Sequence, residues 1–300
     1  MEKNASKSLL MLTLSMVIFG SIGIFRRYIP LPSAALACWR GMSGALLLFL
    51  FVKARKKKLN HAIGGKKTAL LALTGAMIGV NWILLFEAYN FTTVATATLC
   101  YYMQPTIVIL LSPLVFGEKI TLKKGLCVIL SLVGMVFVSG LFDQGIPAFS
   151  ERKGILFGLG AAVLYAAVVM MNKKLTGMDA YEKTIVQLLS AAAALVPYLL
   201  LSRQPVQMEW SFTGVILLLI VGFVHTGIAY ALYFGSMDGL KAQTVAICSY
   251  LDPATALLLA ALILKEGITV YGILGAVLII GSALISEIPS GKRNENERTL

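Results

Sequence analysis

Long apolar stretches dominate the chain, and short polar segments separate them. Each stretch is almost free of charged residues and is close to the roughly 20 residues that an α-helix needs to cross a bilayer core. The polar segments, at most about a dozen residues long, are too short to hold a soluble domain. The pattern therefore predicts ten membrane-spanning helices, at 9–25, 33–52, 68–89, 93–116, 122–141, 154–172, 184–201, 212–234, 241–264 and 268–287.

One stretch of the sequence occurs twice. A gapless shift of 148 residues places TTVATATLCYYMQPTIVILLSPLVFGEKIT, at 92–121, on LKAQTVAICSYLDPATALLLAALILKEGIT, at 240–269. When the comparison is widened to begin at residue 79, 13 of 43 aligned positions are identical. A period this long indicates two half-molecules rather than a solenoid. The identical pairs include Tyr102 with Tyr250, Pro105 with Pro253, and Glu118 with Glu266.

The duplication predicts how the two halves lie in the membrane. Each half contains five spans, and an odd number of spans makes the second half enter the membrane upside down. We therefore expect an all-α polytopic membrane protein of two inverted five-helix repeats, an arrangement that recurs among secondary transporters. The expected divisions are a first repeat at 1–147, a second repeat at 148–288 and a disordered cytoplasmic tail at 289–300.

Composition and charge agree with a membrane protein and predict its orientation. The chain is 58% hydrophobic and 13% charged, with a mean hydropathy of +0.84. If the N-terminus is cytoplasmic, 19 of the 26 basic residues fall on the cytoplasmic side, as the positive-inside rule requires. We therefore expect both termini in the cytoplasm of a bacterial or archaeal cell, with the spans in its inner membrane. The net charge of +12 reflects this topology and contact with anionic lipid rather than nucleic acid.

Several short motifs resemble those of a known family. The triplet FGS at 19–21, the CWRG segment that contains Arg40, and the closing GEKIT and KEGIT segments are similar to elements of the drug/metabolite transporter superfamily, specifically its EamA-type branch. The family usually has Trp where this chain has Phe19. The resemblance extends over 9–287. It implies ten spans in two repeats and the transport of amino acids, nucleosides, purines, drugs or other metabolites, often outward.

The strongest candidate for substrate binding is an acidic residue in the middle of the ninth span. Asp252 and its repeat mate Gln104 are each followed by proline, which removes a backbone donor and frees a carbonyl of the preceding turn. A charge at this depth costs about 2.5 to 3.5 kcal/mol on insertion scales, so it indicates function by default. Helical spacing puts Ser249 on the face of Asp252 and Tyr101 on that of Gln104. The alternative is a structural carboxyl that caps a freed carbonyl or pairs with a buried cation.

Two further polar residues lie within spans. The guanidinium of Arg40 has the geometry to hold a carboxylate, either that of Asp252 or that of a substrate. Asp252 and Arg40 together would suit the amine and the carboxylate of an amino acid. Alternatively, Arg40 snorkels to the outer interface or bonds loop carbonyls. His225 either relays protons, since histidine titrates near neutral pH, or is a packed and hydrogen-bonded residue.

Aromatic residues complete the expected site. Rings in spans three, four, eight and nine would wall a cavity between the repeats, whereas the competing explanation is an interfacial aromatic belt. The predicted substrate-binding residues are Asp252, Gln104, Arg40, Tyr101, Tyr102, Tyr250, Ser249, Trp82 and His225.

These patterns favour a secondary transporter that exports small organic metabolites, such as amino acids or related amphipathic solutes, by alternating access. The chain contains no phosphate-binding GxxxxGK[ST] loop, so a proton or solute gradient would drive it, or it would be a facilitator. The alternative is an intramembrane enzyme or a lipid-handling protein, which would require clustered catalytic groups within the spans. We expect no enzymatic activity, no cofactor and no metal. The expected partners are a small solute, membrane lipid and protons, in a monomer or a homodimer.

Overall fold

The computed structural model describes residues 2–56, 65–117, 119–139, 141–144, 148–172, 175, 178–201, 212–237, 240, 245 and 248–287. Within these ranges the chain forms helices and short connections and contains no strand. The helices are α1 (Glu2–Tyr28), α2 (Ser33–Ala54), α3 (Lys66–Phe91), α4 (Val94–Tyr101), α5 (Gln104–Phe116), α6 (Leu122–Val138), α7 (Leu141–Gln144), α8 (Phe149–Asn172), α9 (Ala180–Leu201), α10 (Phe212–Leu219), a π-helix (Ile220–Ile228), α11 (Ala229–Met237), α12 (Leu251–Leu262) and α13 (Val270–Glu287).

The prediction of an all-helical membrane protein is confirmed, and the count of ten spans is matched in part. In the described ranges, seven segments are long and apolar enough to cross a membrane, and Leu251–Leu262 and Val270–Ser286 are shorter apolar helices. The fifth predicted span corresponds to the 17-residue α6. Large apolar side chains on the outside of the bundle, such as Leu114, Leu201 and Phe212, are more than 80% exposed, as lipid-facing residues are. The tail predicted at 289–300 lies outside the described residues.

The fourth predicted span is interrupted in its middle. Helix α4 ends at Tyr101 and α5 begins at Gln104, with Pro105 in its first turn. At the junction the Met103 N–H bonds the carbonyl of Cys100, a tighter turn than the α-helix makes. Proline lacks the N–H that would continue the ladder. The disturbed helix expected from the sequence is therefore present, and α12 likewise begins at Leu251 with Pro253 in its first turn.

Glycines allow close packing between helices of the two halves. Helix α1 packs against α11 and α12, α2 against α9 and the π-helix, α3 against α8 and α9, and α4 and α5 against α8. A Cβ atom on Gly20 would lie 2.4 Å from the carbonyl oxygen of Asp252, and one on Gly275 would lie 2.6 Å from that of Gly134. These glycines are required for close approach, as expected for helices packed in lipid.

The connections after α5 and α12 share a backbone conformation. Gly117, at the end of α5, has φ 67°, and its repeat mate Lys265 has φ 54°. Gly117 takes up this left-handed conformation without cost, whereas Lys265 bears a Cβ penalty of about 1 kcal/mol. The two halves therefore use the same kind of turn where the duplicated motif ends.

Candidate functional site

Asp252 lies in the first turn of α12, inside the bundle. Its backbone carbonyl packs against Gly20 of α1, and its carboxylate lies beside the Tyr102 hydroxyl at the α4/α5 junction. The Asp252 residue is partly accessible to solvent although protein surrounds its side chain. Within the described ranges it forms no salt bridge. Asp252 is therefore a carboxylate that faces the interior with one phenol as its partner.

Four tyrosines form a continuous row beside this carboxylate. Ring centroids are 5.6 Å apart for Tyr165 and Tyr101, 5.8 Å for Tyr101 and Tyr102, and 6.5 Å for Tyr102 and Tyr250. The row crosses from α8 through the α4/α5 junction to the start of α12, so it joins the two halves of the chain. Tyr101, Tyr102 and Tyr165 each interact electrostatically with Asp252.

A second aromatic group joins α1 to α11. Phe19 lies 5.2 Å from Tyr230 and 6.4 Å from Tyr233, and Tyr230 stacks on Phe234 at 5.8 Å. Tyr230 also interacts electrostatically with Asp252. Phe19, the residue that stands in place of the family's tryptophan, is therefore in contact with the interior rings. We call the row of four tyrosines together with Phe19, Tyr230 and Tyr233 the central aromatic cluster: Phe19, Tyr101, Tyr102, Tyr165, Tyr230, Tyr233 and Tyr250.

Arg40 is buried at only 5% exposure and packs on aromatic rings. Its guanidinium carbon lies 4.1 Å from the Trp82 ring centroid and 5.4 Å from that of Phe86, both on α3. Its Nε donates to Thr226 Oγ1 at 3.1 Å, and in the described part of the chain no other nitrogen of Arg40 donates. Arg40 forms no ion pair with Asp252 there, and it bonds a side chain of the π-helix rather than loop carbonyls.

Arg40 and Asp252 nevertheless lie near the same phenols. Tyr230 and Tyr101 are close to Arg40, and both tyrosines are also close to Asp252. An acidic and a basic side chain thus lie beside one group of rings, and within the described residues they form no ion pair with each other.

His225 is held in a packed position by three neighbours. Its Nε2 lies 2.8 Å from Ser21 Oγ, its Nδ1 lies 3.4 Å from the Ile220 carbonyl oxygen, and its ring is 4.6 Å from that of Phe25. The π-helix places His225 toward α1 and its neighbour Thr226 toward Arg40. π-Helical segments of this kind are frequent at functional sites.

The remaining predicted residues are distributed around the two helix junctions. Gln104 begins α5 and is partly accessible. Ser249 lies just before α12 and donates to the Val245 carbonyl at 2.9 Å, while Trp82 is buried under Arg40. Tyr165 was not identified from the sequence. Its only signal is that it is the single tyrosine in a span rich in glycine and alanine.

Cys100 precedes Tyr101 on α4 but does not face the central aromatic cluster. Cys100 is fully buried against α8, where a Cβ on Gly158 would lie 2.8 Å from the Cβ of Cys100. Glycine at 158 lets α8 approach and cover that part of α4.

Comparisons with known proteins identify the family of the chain. The chain matches the EamA-like transporter family over residues 6–140 and 152–287. It is 29% identical over 296 residues to an uncharacterized transporter, YxxF, of Bacillus subtilis, covering 98% of this chain and 94% of that protein. It is 27% identical over 209 residues to protein RarD of Salmonella typhi, covering 69% and 65% of the two chains.

A solved structure, described only as a crystal structure of protein, shares the fold. It superposes with a TM-score of 0.66 at 16% identity and covers 93% of this chain and 95% of that one. The two family matches together cover most of the sequence. The chain therefore belongs to the EamA-like transporter family of the drug/metabolite transporter superfamily, and it is an integral membrane transporter.

Proposed function

We propose that this protein is a secondary transporter that exports small organic metabolites, such as amino acids or related amphipathic solutes, by alternating access. The cargo site is the space between the two halves that the central aromatic cluster borders. The observation that carries this proposal is that Asp252 and Arg40 lie near the same phenols, those of Tyr101 and Tyr230, and form no ion pair with each other in the described residues. An amino acid presents an ammonium to the first and a carboxylate to the second.

The inverted-repeat arrangement, with repeats at 1–147 and 148–288, is part of the proposal. It is supported by the packing, because corresponding spans make corresponding contacts. The third span packs on the sixth (α3 on α8), and the eighth span packs on the first (the π-helix and α11 on α1). Likewise, span four packs on the sixth and span nine on the first. Such interchange of partners is what a two-fold relation within the membrane produces.

Broken helices explain why the site lies where it does. In a bilayer, irregular backbone is tolerated only where it is buried in protein or lines a cavity. The α4/α5 junction and the start of α12 bring Tyr102 and Asp252 together at such points. Both termini in the cytoplasm, a location in the inner membrane, and coupling to protons belong to the same proposal.

The experiment is transport by purified protein in proteoliposomes, with and without an imposed pH gradient. The panel is labelled amino acids, nucleosides, purines and small organic cations. We expect a solute of the amino acid class to move, and Asp252→Asn to reduce its transport by about tenfold or more, because an unpaired substrate ammonium is costly to desolvate. Glu87→Gln is the matched control, since that carboxylate accepts only from Asn90 of its own helix in the described residues. Movement of no solute in the panel would contradict the proposal.

A further inference from the structure

A carboxylate outside the central site joins three segments at the predicted outer end of the bundle. Glu266 lies in the connection between α12 and α13. Its Oε1 accepts from the Val94 N–H at 2.9 Å, and its Oε2 accepts from the Ala95 N–H at 3.1 Å. Both donors belong to the first turn of α4, whose N–H groups have no partner within the helix. Glu266 therefore holds the start of α4, in one half, to the end of α12, in the other.

Arg27 adds the end of α1 to the same point. Its Nη2 lies 3.5 Å from Glu266 Oε1 and donates to the Thr92 carbonyl oxygen at 2.8 Å. The Arg27 side chain is 35% exposed, whereas that of Glu266 is 11% exposed. The largest part of the interaction is therefore the pair of N–H bonds to the more buried carboxylate, since exposed ion pairs contribute little.

The contact lies beside a cavity. This cavity, of about 140 Å³, is lined by Glu266, by the threonines Thr93, Thr96 and Thr269, and by apolar residues that include Leu99. Leu99 is three residues before Tyr102, so the cavity and the central aromatic cluster are about one helical turn apart along α4. The α4 start and the α12/α13 connection must separate if solute is to pass between them.

We propose that Glu266, with Arg27 in support, is the outer gate of the transporter: it closes the path from the central site while its two N–H bonds hold, and its release opens that path. This inference rests on the proposed alternating-access function. Charge-assisted hydrogen bonds are roughly twice as strong as neutral ones. In Glu266 the two N–H groups bond two different oxygens. In a glutamine placed the same way, an NH₂ replaces one of those oxygens, so one N–H loses its acceptor and faces a donor.

The test measures access directly and needs no cargo. Two reporter proteins are made in a background in which alanine replaces Cys38, Cys100 and Cys127. The inner reporter keeps Cys248 as its one cysteine. The outer reporter carries Cys248→Ala and Leu99→Cys. A membrane-impermeant maleimide is applied to right-side-out vesicles for the outer reporter and to inside-out vesicles for the inner one. Each reporter is combined with Glu266→Gln, Glu266→Asp, Arg27→Gln and the control Glu87→Gln.

We expect Glu266→Gln to raise the labelling rate of the outer reporter by about fivefold or more and to lower that of Cys248 from the inside. Glu266→Asp should fall between wild type and glutamine, because its shorter side chain reaches one N–H. Arg27→Gln should have a smaller effect, and Glu87→Gln none.

Unchanged labelling of the outer reporter in folded Glu266→Gln overturns the inference, and so does a rise at Leu99→Cys without a fall at Cys248, which marks local fraying of α4. If Glu266→Gln does not fold, Glu266→Asp and Arg27→Gln decide by the same criterion, which is a rise in labelling of the outer reporter together with a fall in labelling of Cys248. Because labelling is scored without solute, failure of the gate is distinct from failure of the transport function, which the solute panel tests.

Discussion

Arg40 of α2 and Trp82 of α3 are in direct contact inside the bundle, with the guanidinium carbon 4.1 Å from the ring centroid. The electron-rich face of the indole stabilises a charge that would otherwise be buried without compensation. The Nε bond to Thr226 then fixes the direction of the guanidinium. These two contacts hold the Arg40 side chain in one position, which supports its proposed role in binding a carboxylate of the cargo.

The Arg40 contact predicts a graded loss of stability on changing Trp82. Trp82→Leu removes the ring face and should lower the free energy of unfolding by about 2 to 4 kcal/mol, from the lost cation–π interaction and the lost packing. Trp82→Phe keeps a ring and should lose less than half as much. Thermal unfolding in detergent measures both variants, and equal stability of wild type and Trp82→Leu would contradict the finding that this contact stabilises the bundle.

The close approach of α1 and α12 predicts opposite effects of alanine at two helical glycines. Gly20→Ala would put a Cβ 2.4 Å from the Asp252 carbonyl oxygen and 2.8 Å from Thr255 Cβ, and should cost about 1 to 3 kcal/mol of stability. Gly281→Ala on α13 meets nothing within 4 Å and should be neutral or stabilising by about 0.5 to 1 kcal/mol. Both are compared by thermal unfolding, and a milder effect at Gly20 than at Gly281 would refute the packing.

The shared turn after α5 and α12 predicts a reciprocal pair of substitutions. Lys265→Gly should stabilise the protein by about 0.5 to 1 kcal/mol, because a left-handed residue without a Cβ is unstrained. Gly117→Ala should destabilise it by about 1 kcal/mol, although open space surrounds that position. Chemical denaturation measures the change in the free energy of unfolding for each variant. Changes of the same sign would mean that the two turns have different backbone conformations.

The contacts of His225 predict a structural effect rather than an effect on coupling. Its ring nitrogens have partners in Ser21 and the Ile220 carbonyl, and its ring packs on Phe25. His225→Gln should lower stability by about 1 kcal/mol, the net value of one hydrogen bond, while the response of transport to a pH gradient stays as in wild type. Loss of that response in a folded His225→Gln protein would instead identify His225 as the proton relay.

Much of the fold could be predicted because it depends on local pattern. The helices beginning at Ser33, Phe212 and Leu122 start where the apolar stretches do. The interruption after Tyr101 follows from Pro105, a residue whose chemistry is local. The π-helix at Ile220–Ile228 could not be predicted, because an apolar run with two glycines carries no signal for its wider turn.

The arrangement of the candidate site was predictable only in part. Asp252 and Tyr102 were both expected to line one cavity, because the duplicated stretches place them near the middle of spans nine and four. The position of Arg40 was not, because its partners depend on how α2 is rotated against α3, and sequence spacing does not fix rotation between helices.

The most direct test of the central claim compares three forms of one cargo. The amino acid that moves in proteoliposomes, its methyl ester and its deaminated acid are measured as competitors of transport by the wild-type protein and by Asp252→Asn. If Asp252 binds the ammonium and Arg40 the carboxylate, the amino acid competes at least about tenfold better than either derivative, and the preference over the deaminated acid is lost in Asp252→Asn. Equal competition by all three forms, or a preference over the deaminated acid that survives Asp252→Asn, would contradict the account.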